Sequence, residues 1–418
     1  MKVLWFTNTP SNAAAEFGFQ GFGGGWISSL ESLFVESRVC QLFLCFFYDG
    51  QAFKKLEKGT VTYYGIPLNR SNALKRVISR HLVQLNDDNS SISFNQILNE
   101  VNPDLIHVFG TENSYGKFLP DKYDKVLFHL QGLAMPYSQV FLPLGINKWT
   151  IFKNSSLTSI LRGTTLNDEF NLFRKRGLRE VNIIKRWNYF IGRTSWDNNY
   201  INLLNPKAEY FHCDELLRKE FYNTQWINPN IPNENHTIIL GTTISPNLLK
   251  GLDLIYKVSG LLNEYKIVWK IFGTSEDDSV NKFILKISKL SNKPPNVRFY
   301  GNINANQLIE QLLACHFFVH TSYIDNSPNS VCEAQILGLP VISSSVGGIK
   351  TLIEDGKTGF LFNPYDRYDL AGLLLSLINN YKYAIEVGKN ARTIAIQRHS
   401  PDKIMKELLE IYNSILLH

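Results

Sequence analysis

The stretch that decides the fold covers residues 320–362 and reads HTSYIDNSPNSVCEAQILGLPVISSSVGGIKTLIEDGKTGFLF. A short apolar strand ends at His320, and a polar loop leads to Ser327-Pro328-Asn329-Ser330. Proline near the first turn, with Ser or Asn as the cap, predicts that a helix begins there. The helix continues to Gly338, after which the chain returns to a sheet. This stretch therefore predicts a strand–helix–strand unit of a parallel sheet.

The beginning of this helix is suited to an anion. The first N–H groups of a helix have no partner within it, and they carry the positive end of the helix dipole. A diphosphate binds well at such a place. We therefore predict that Asn329, Ser330 and Val331 contact the phosphates of a nucleotide.

The same alternation of short apolar runs and amphipathic stretches extends over the whole chain. The predicted strands are residues 3–6, 39–48, 104–109, 125–130, 188–191, 237–241, 265–272, 297–300 and 316–320. The predicted helices include residues 26–35, 251–262, 305–313 and 402–417. This order predicts an α/β fold of two Rossmann-like, doubly wound domains that face a central cleft.

The length of 418 residues suits two domains. Asn and Pro dominate residues 223–236, which we interpret as the linker. The predicted domains are therefore residues 1–222 and 237–400, and the helix of residues 401–418 is expected to pack back toward the first domain.

Composition and charge indicate the cellular compartment and the kind of ligand. The five cysteines are scattered, with no CxxC spacing, which argues against a disulfide framework or a structural zinc site and favours a reducing compartment. The N-terminus turns polar at Thr7, too early for a signal peptide, and the longest apolar run, residues 40–48, is too short to span a bilayer. A net charge of +6 fits phosphorylated substrates or an anionic membrane surface and does not require nucleic acid. We expect a cytoplasmic protein.

Two acidic residues eight positions apart begin the most specific motif. Asp325 and Glu333 are followed by Gly338-Leu339-Pro340-Val341-Ile342, Gly347-Gly348 and Gly359-Phe360-Leu361. In order and spacing, these residues resemble the donor-binding signature of the retaining glycosyltransferase family 4, also called glycosyl transferases group 1, which has the GT-B fold. The resemblance implies a nucleotide-sugar-dependent transferase in which residues 237–400 bind the donor and residues 1–222 form the acceptor side.

The resemblance also implies roles for individual residues. Glu333 is expected to hold the ribose hydroxyls and Asp325, which replaces the usual Glu, to lie against the donor sugar. Lys250, in a Lys-Gly pair, is expected to neutralise the diphosphate. Thr242 and Thr243 stand where the family has an arginine, so Arg193, or a residue near Arg298, is a candidate replacement cation.

Other matches come from strand-end loops. Gly24 and Gly25 correspond to the family's Gly-Gly turn before the first helix, where the backbone approaches donor phosphate and acceptor. Gln131 stands where the family often has a sugar-proximal histidine, and His129, two residues earlier, is the alternative. Gly301 belongs to a loop expected to frame the base.

The resemblance implies no tightly bound cofactor, a UDP- or GDP-sugar as the donor, and no required metal ion. It also implies front-face attack with retention of configuration, in which the leaving phosphate receives the acceptor proton. The expected acceptor is a glycan or lipid-linked molecule of surface polysaccharide synthesis. A basic amphipathic helix around residues 74–82 adds a possible peripheral contact with the inner face of an anionic membrane.

Two other functions remain open from the sequence. A nucleotide-sugar epimerase has the same overall fold but would need acid–base carboxylates and histidines facing the sugar. A non-catalytic sugar-nucleotide-binding partner subunit is suggested by Thr242, Asp325 and Gln131, which depart from the family pattern. Turnover of a donor sugar distinguishes these functions from transfer.

Overall fold

The computed structural model describes residues 1–19, 25–68, 72–85, 90–142, 145–227 and 236–417. Its strands are β1 (Lys2–Thr7), β2 (Gln41–Tyr48), β3 (Lys54–Lys58), β4 (Val61–Pro67), β5 (Leu105–Phe109), β6 (Val126–His129), β7 (Tyr189–Gly192), β8 (Glu209–His212), β9 (Ile238–Thr243), β10 (Ile267–Phe272), β11 (Val297–Phe299), β12 (Phe317–His320), β13 (Val341–Ser344) and β14 (Phe360–Phe362).

The helices follow in the same chain order. They are α1 (Gly25–Ser37), α2 (Ala73–His81), α3 (Ser90–Val101), α4 (Tyr115–Phe118), α5 (Ala134–Gln139), α6 (Lys148–Asn154), α7 (Leu157–Arg162), α8 (Leu166–Arg186), α9 (Ser195–Leu204), α10 (Lys219–Tyr222), α11 (Leu252–Leu261), α12 (Ser279–Ile287), α13 (Ala305–Leu313), α14 (Asn329–Leu337), α15 (Ile349–Leu352), α16 (Arg367–Asn379), α17 (Tyr381–Arg398) and α18 (Pro401–Leu417). Short 3-10 turns lie at Ser11–Ala13 and Leu248–Lys250.

The chain forms two units, and the first comprises Met1–Gln139, Ser155–Leu216 and His399–His418. Its sheet has the order β3-β4-β2-β1-β5-β6-β7-β8, in which only the edge pair β3–β4 is antiparallel. Val3 to Phe6 of β1 are fully buried on both faces of the sheet. Continuous burial of this kind is typical of a parallel strand covered by helices on both sides.

Helix α18 belongs to the first unit. The Tyr412 hydroxyl accepts a hydrogen bond from the Trp5 indole N–H at 3.1 Å and lies 2.6 Å from Nδ1 of His107. Lys125 Nζ donates to the carbonyl of Leu416 at 2.8 Å. The C-terminal helix is therefore anchored to β1 and β5 of the first sheet.

The second unit comprises Val140–Asn154 and Leu217–Arg398, and its sheet is parallel with the order β11-β10-β9-β12-β13-β14. The prediction of two Rossmann-like α/β domains is confirmed. The predicted strands appear with small shifts, since residues 237–241 become Ile238–Thr243 and residues 316–320 become Phe317–His320.

Apart from Val140–Asn154, which already belongs to the second unit, the chain passes into that unit before the predicted linker. Residues 228–235 of the linker lie outside the described residues. The change falls between Leu216 and Leu217. Trp226 explains why the segment before residue 228 packs with the second unit. Its backbone N–H donates to the carbonyl of Leu337 at 2.8 Å, and its indole N–H donates to the carbonyl of Cys315 at 2.9 Å.

Candidate functional site

The sheet of the second unit places two predicted site residues at its switch point. From β9 the chain runs outward through β10 and β11, and it then returns to β12 on the other side of β9. Ligands of such sheets bind outside the carboxyl ends of the strands where the order reverses. Lys250 follows β9 and Asp325 follows β12, so both residues lie beside this point.

The turn that carries Lys250 is held against the loop after β12. Gly251 has a φ of +73°, and a Cβ atom there would lie 2.1 Å from the carbonyl oxygen of Thr321. The Thr321 hydroxyl donates to the carbonyl of Lys250 at 2.8 Å, and the N–H of Tyr323 donates to the carbonyl of Leu249 at 2.8 Å. Only glycine tolerates both this φ and this close approach, which explains the Lys-Gly pair.

Asp325 binds Lys250 directly. Lys250 Nζ lies 2.7 Å from Oδ2 of Asp325, which also lies 3.2 Å from Nε2 of His320 and accepts from the Ser322 hydroxyl at 3.3 Å. Burial alone would raise the pKa of the Asp325 carboxyl, but Lys250 and His320 outweigh it and hold that pKa well below its usual value. Asp325 is therefore a carboxylate that fixes the position of Lys250.

His320 completes this buried group. Burial lowers the pKa of its ring below the usual value, against the opposing effect of Asp325, and we assign a neutral imidazole. Since a carboxylate only accepts hydrogen bonds, the proton belongs on Nε2, which faces Asp325. The other nitrogen, Nδ1, then accepts from the Ser343 hydroxyl at 2.9 Å. The sequence marked His320 only as a strand end.

The predicted Gly347-Gly348 turn supports the backbone of Asp325. Gly347 has a φ of +50°, and a Cβ atom there would lie 2.0 Å from the carbonyl oxygen of Asp325. The N–H of Gly348 donates to the same carbonyl at 3.0 Å. Two glycines after β13 therefore hold the acidic loop after β12 in place.

The start of α14 differs from the predicted one in its cap. Pro328 is the N-cap residue, and it makes no side-chain hydrogen bond, where a Ser or Asn cap was predicted. Asn329, Ser330 and Val331 form the first turn, and the Val331 N–H donates to the Pro328 carbonyl at 3.0 Å. Because proline has no side chain that could cap the helix, its first N–H groups are suited to an incoming anion.

Glu333 of α14 is paired with an arginine that the sequence did not single out. Arg218 donates from Nε to Oε1 and from Nη2 to Oε2 of Glu333, each at 2.7 Å. Burial raises the pKa of the Glu333 carboxyl, and Arg218 offsets part of this effect. The two-point contact fixes the plane of the carboxylate and leaves each oxygen a further lone pair for another donor.

Thr242, one of the two threonines at the position of the expected arginine, has a structural role. Its side chain is buried, donates to the carbonyl of Val319 at 2.7 Å and accepts from the Trp269 indole at 2.8 Å. The threonine therefore ties the sheet together and offers no phosphate contact.

The loops after β10 and β11 are joined through two glycines. The Gly273 N–H donates to the carbonyl of Gly301 at 2.8 Å, and their φ angles are +85° and +68°. A Cβ atom at Gly301 would meet no atom within 4 Å. This open space is compatible with the predicted contact of Gly301 with a base, which stays a prediction.

The central part of the second unit matches a known family. Residues 227–394 fit the family model described as "Glycosyl transferases group 1". We call this segment the group 1 domain, after the family that it matches. The predicted resemblance is thereby confirmed for this segment.

Two relatives carry glycosyltransferase names. The poly(ribitol-phosphate) alpha-N-acetylglucosaminyltransferase of Staphylococcus aureus is 30% identical over 168 residues, which cover 40% of this chain and 33% of that protein. The match thus covers only a third of that relative. The capsular polysaccharide biosynthesis glycosyltransferase CapM of Staphylococcus aureus is 23% identical over 342 residues, 73% of this chain and 86% of that protein.

The solved structures extend the likeness to the whole fold. The Anabaena protein Alr3699/HepE in complex with UDP-glucose superposes with a TM-score of 0.64, at 17% identity, over 99% of this chain and 100% of that one. At this identity the likeness concerns the fold. The group 1 domain and the unit that precedes it therefore have the predicted GT-B architecture.

Outside the group 1 domain, Arg193 lies buried in the first unit. Its guanidinium pairs with the Glu215 carboxylate and donates to the carbonyls of Leu130 and Gln131 at 3.2 and 3.0 Å. These contacts make Arg193 a support for the loop after β6. The predicted contact of Arg193 with donor phosphate stays a prediction.

The loop after β6 carries Gln131, which is half-buried. His129 lies in the core of the first unit, with its ring parallel to that of His107 at 5.5 Å and 5.3 Å from the ring of Trp26. Burial holds the pKa of His129 well below its usual value, so the ring is neutral. The preference for Gln131 over His129 as the sugar-facing residue stays a prediction.

The remaining observations concern the predicted Gly24-Gly25 turn, groups that could hold a metal ion, and helices that could span a membrane. Gly24 lies outside the described residues, and Gly25 is the first residue of α1. Among the described side chains, no group of three or more His, Cys, Asp and Glu residues is arranged to hold a metal ion. No helix in the described ranges is long and apolar enough to cross a bilayer.

Proposed function

We propose that this chain is a retaining glycosyltransferase that moves a sugar from a nucleoside-diphosphate sugar to a glycan or lipid-linked acceptor of surface polysaccharide synthesis. The observation that carries the proposal is the Lys250–Asp325 pair at the switch point of the group 1 domain, where Asp325 lies on the loop that leads into α14. A cation and unpaired helix N–H groups together suit a diphosphate.

The proposed mechanism relies on preorganised charge. Cleavage of the sugar–phosphate bond leaves negative charge on the diphosphate and positive charge at the anomeric carbon. Lys250 has three N–H donors, of which one faces Asp325 and the others are available to phosphate oxygens. In the proposed front-face attack, the acceptor hydroxyl bonds to the anomeric carbon, the bond to the diphosphate breaks, and the acceptor proton passes to the leaving phosphate.

Glu333 is the proposed ligand of the ribose. Its carboxylate is oriented by Arg218, so its remaining lone pairs have a fixed direction toward the two ribose hydroxyls. A preorganised acceptor of this kind lowers the entropy cost of binding. Asp325 contributes by holding Lys250, and its proposed second role is to stabilise charge at the donor sugar.

We propose a UDP-sugar as the donor, with no required metal ion. The UDP-glucose complex of the Anabaena protein, which has the same fold, supports uridine as the first base to test. The names of the two staphylococcal relatives support a polymeric surface glycan as the acceptor class. The proposed location is the cytoplasm, at the inner face of the membrane.

Thermal unfolding with nucleotides tests the donor site. UDP, GDP, ADP, TDP and CMP are added with and without magnesium, and we expect UDP alone to raise the Tm. At about 100 times its Kd, a ligand stabilises by about 2.7 kcal/mol, a rise of about 5–11 °C for a unit of this size. Glu333→Gln should lose the shift, whereas the exposed Glu310→Gln in the same unit should keep it.

Turnover then separates the proposal from its alternatives. The full-length protein is incubated with UDP-glucose, UDP-galactose and UDP-N-acetylglucosamine, and released UDP and new sugars are measured. Slow release of UDP that Lys250→Gln abolishes and Lys257→Gln retains supports a transferase. Interconversion of the sugars without UDP release would point to an epimerase, and tight UDP binding with no turnover would point to a non-catalytic subunit.

A further inference from the structure

Two short helices of the first unit, α2 and α7, expose large aliphatic side chains. Leu74 is 70% exposed, Leu157 71% and Leu161 64%, and Ile78 and Leu82 are also exposed. A single exposed leucine is ordinary on a protein surface. Five such residues lie on two neighbouring helices, and clusters of exposed apolar side chains are typical of interaction sites.

The two helices form one continuous surface. Nε2 of His81, the last residue of α2, lies 3.1 Å from the carbonyl of Leu161 in α7. Gly163, which caps α7 with a φ of +59°, approaches α2 so closely that a Cβ atom would lie 3.0 Å from Cβ of Arg80. We call residues 72–82 and 156–162 the α2–α7 surface.

The charge of this surface has one sign. Lys75, Arg76, Arg80 and Arg162 lie in its two segments, whereas residues 72–85 and 155–165 contain no Asp or Glu. The whole chain, by contrast, has 43 basic and 37 acidic residues. The cations are therefore not compensated along these segments.

The helix caps preserve that charge. Asn72 caps α2 by accepting from the N–H of Lys75 at 2.9 Å, and Ser156 caps α7 by accepting from the N–H of Ser159 at 3.1 Å. Asp is an equally good N-cap residue, and acidic residues in the first turn favour a helix. Both helices instead use neutral caps, so the caps add no negative charge beside the cations.

We propose that the α2–α7 surface docks on an anionic lipid membrane. Aliphatic side chains that insert between headgroups, surrounded by cations that pair with lipid phosphates, match such an interface. Helices of nine and six residues are too short to span a bilayer, so they lie on its surface. The inference rests on the proposed function, because an enzyme with a lipid-linked acceptor must reach the membrane plane.

Vesicle sedimentation of the full-length protein tests the proposal. We expect binding to phosphatidylcholine vesicles that contain about 30% phosphatidylglycerol and little binding to phosphatidylcholine alone. Each membrane-facing cation contributes about fivefold to partitioning. The triple change Lys75→Gln, Arg76→Gln and Arg162→Gln should therefore reduce partitioning about a hundredfold. The matched control changes three exposed lysines elsewhere to Gln and should leave partitioning nearly unchanged. These lysines are Lys382, Lys389 and Lys406.

The leucines are tested separately. An inserted leucine contributes about tenfold to partitioning. Leu74→Ser with Leu157→Ser should reduce it about a hundredfold, even at low salt. The control Leu203→Ser, at a leucine of α9 that is 77% exposed, should change little.

Three outcomes would overturn the proposal: no binding of the wild type to anionic vesicles, binding that the surface variants retain, or equal losses in the control variants. UDP-induced thermal stabilisation is measured on the same variants and should be unchanged. A loss of vesicle binding with intact UDP binding concerns the membrane surface alone. A failure of the wild type to bind UDP would instead count against the proposed function.

Discussion

Removal of Arg218 should destabilise the second unit even when no ligand is present. Glu333 is 6% exposed and Arg218 24%, so Arg218→Ala would leave a nearly buried carboxylate without its partner. Breaking a buried ion pair by removing one side costs about 3–5 kcal/mol. Because water can reach the space that Arg218 vacates, we expect the lower end, about 3 kcal/mol. For a unit of about 200 residues this corresponds to a fall in Tm of about 6–12 °C.

Calorimetry with a double-mutant cycle tests this reasoning. Arg218→Gln with Glu333→Gln replaces the ion pair by two amides that can bond to each other, so the double variant should be more stable than Arg218→Gln alone. Arg367→Ala is the control, since this exposed arginine of α16 covers the ring of Tyr368 at 5.0 Å, donates to its hydroxyl at 3.1 Å and pairs with no buried carboxylate among the described residues. The reasoning is refuted if Arg218→Ala costs no more than Arg367→Ala, or if the second substitution brings no recovery.

Two further predictions concern the site. Ribose hydroxyls donate to the ionised carboxylate, and burial raises the pKa of Glu333, so UDP affinity should decline as pH falls toward that raised value. Arg218→Gln should raise the pKa further and move the decline to higher pH, as calorimetric titration between pH 5 and 8 would reveal; coincident profiles would contradict this. Gly347→Ala should cost about 2 kcal/mol or more and weaken UDP binding at least tenfold, because its Cβ would collide with the carbonyl of Asp325. Gly372→Ala, in a helix with open space, should instead stabilise by about 0.5–1 kcal/mol in the same unfolding assay; similar behaviour of the two glycine variants would contradict the steric argument.

The fold was predictable wherever a buried strand has a continuous apolar pattern. Residues 3–6 and 42–48 show this pattern, and they lie in β1 and β2. The edge strand β3 was not predicted, because its sequence Lys-Lys-Leu-Glu-Lys is polar and half solvated. Periodicity identifies strands by what they bury, and an edge strand buries little.

The local part of the site was predictable, and its long-range part was not. Asp325 and the Gly347-Gly348 turn lie within one motif, where spacing along the chain reports spacing in the fold. Arg218 lies 115 positions before its partner Glu333. No motif or periodicity in the sequence relates the two positions. Likewise, the inward direction of Thr242 depends on Trp269 and Val319, which reach it from neighbouring strands.

The charge balance of the site indicates which groups would have to stabilise a bound diphosphate. Lys250 is compensated by Asp325, Arg218 is compensated by Glu333, and His320 is neutral, so these five residues together carry no net charge. In the absence of a ligand this balance is favourable, because neither cation nor carboxylate is left unpaired.

A diphosphate brings additional negative charge, and Thr242 cannot offset it. Its stabilisation must therefore come from groups whose charge does not need a partner in the free enzyme, and the N–H groups of Asn329 and Ser330 at the start of α14 have this property. We therefore propose that the uncapped helix takes the place of the missing arginine as the second positive element, next to Lys250.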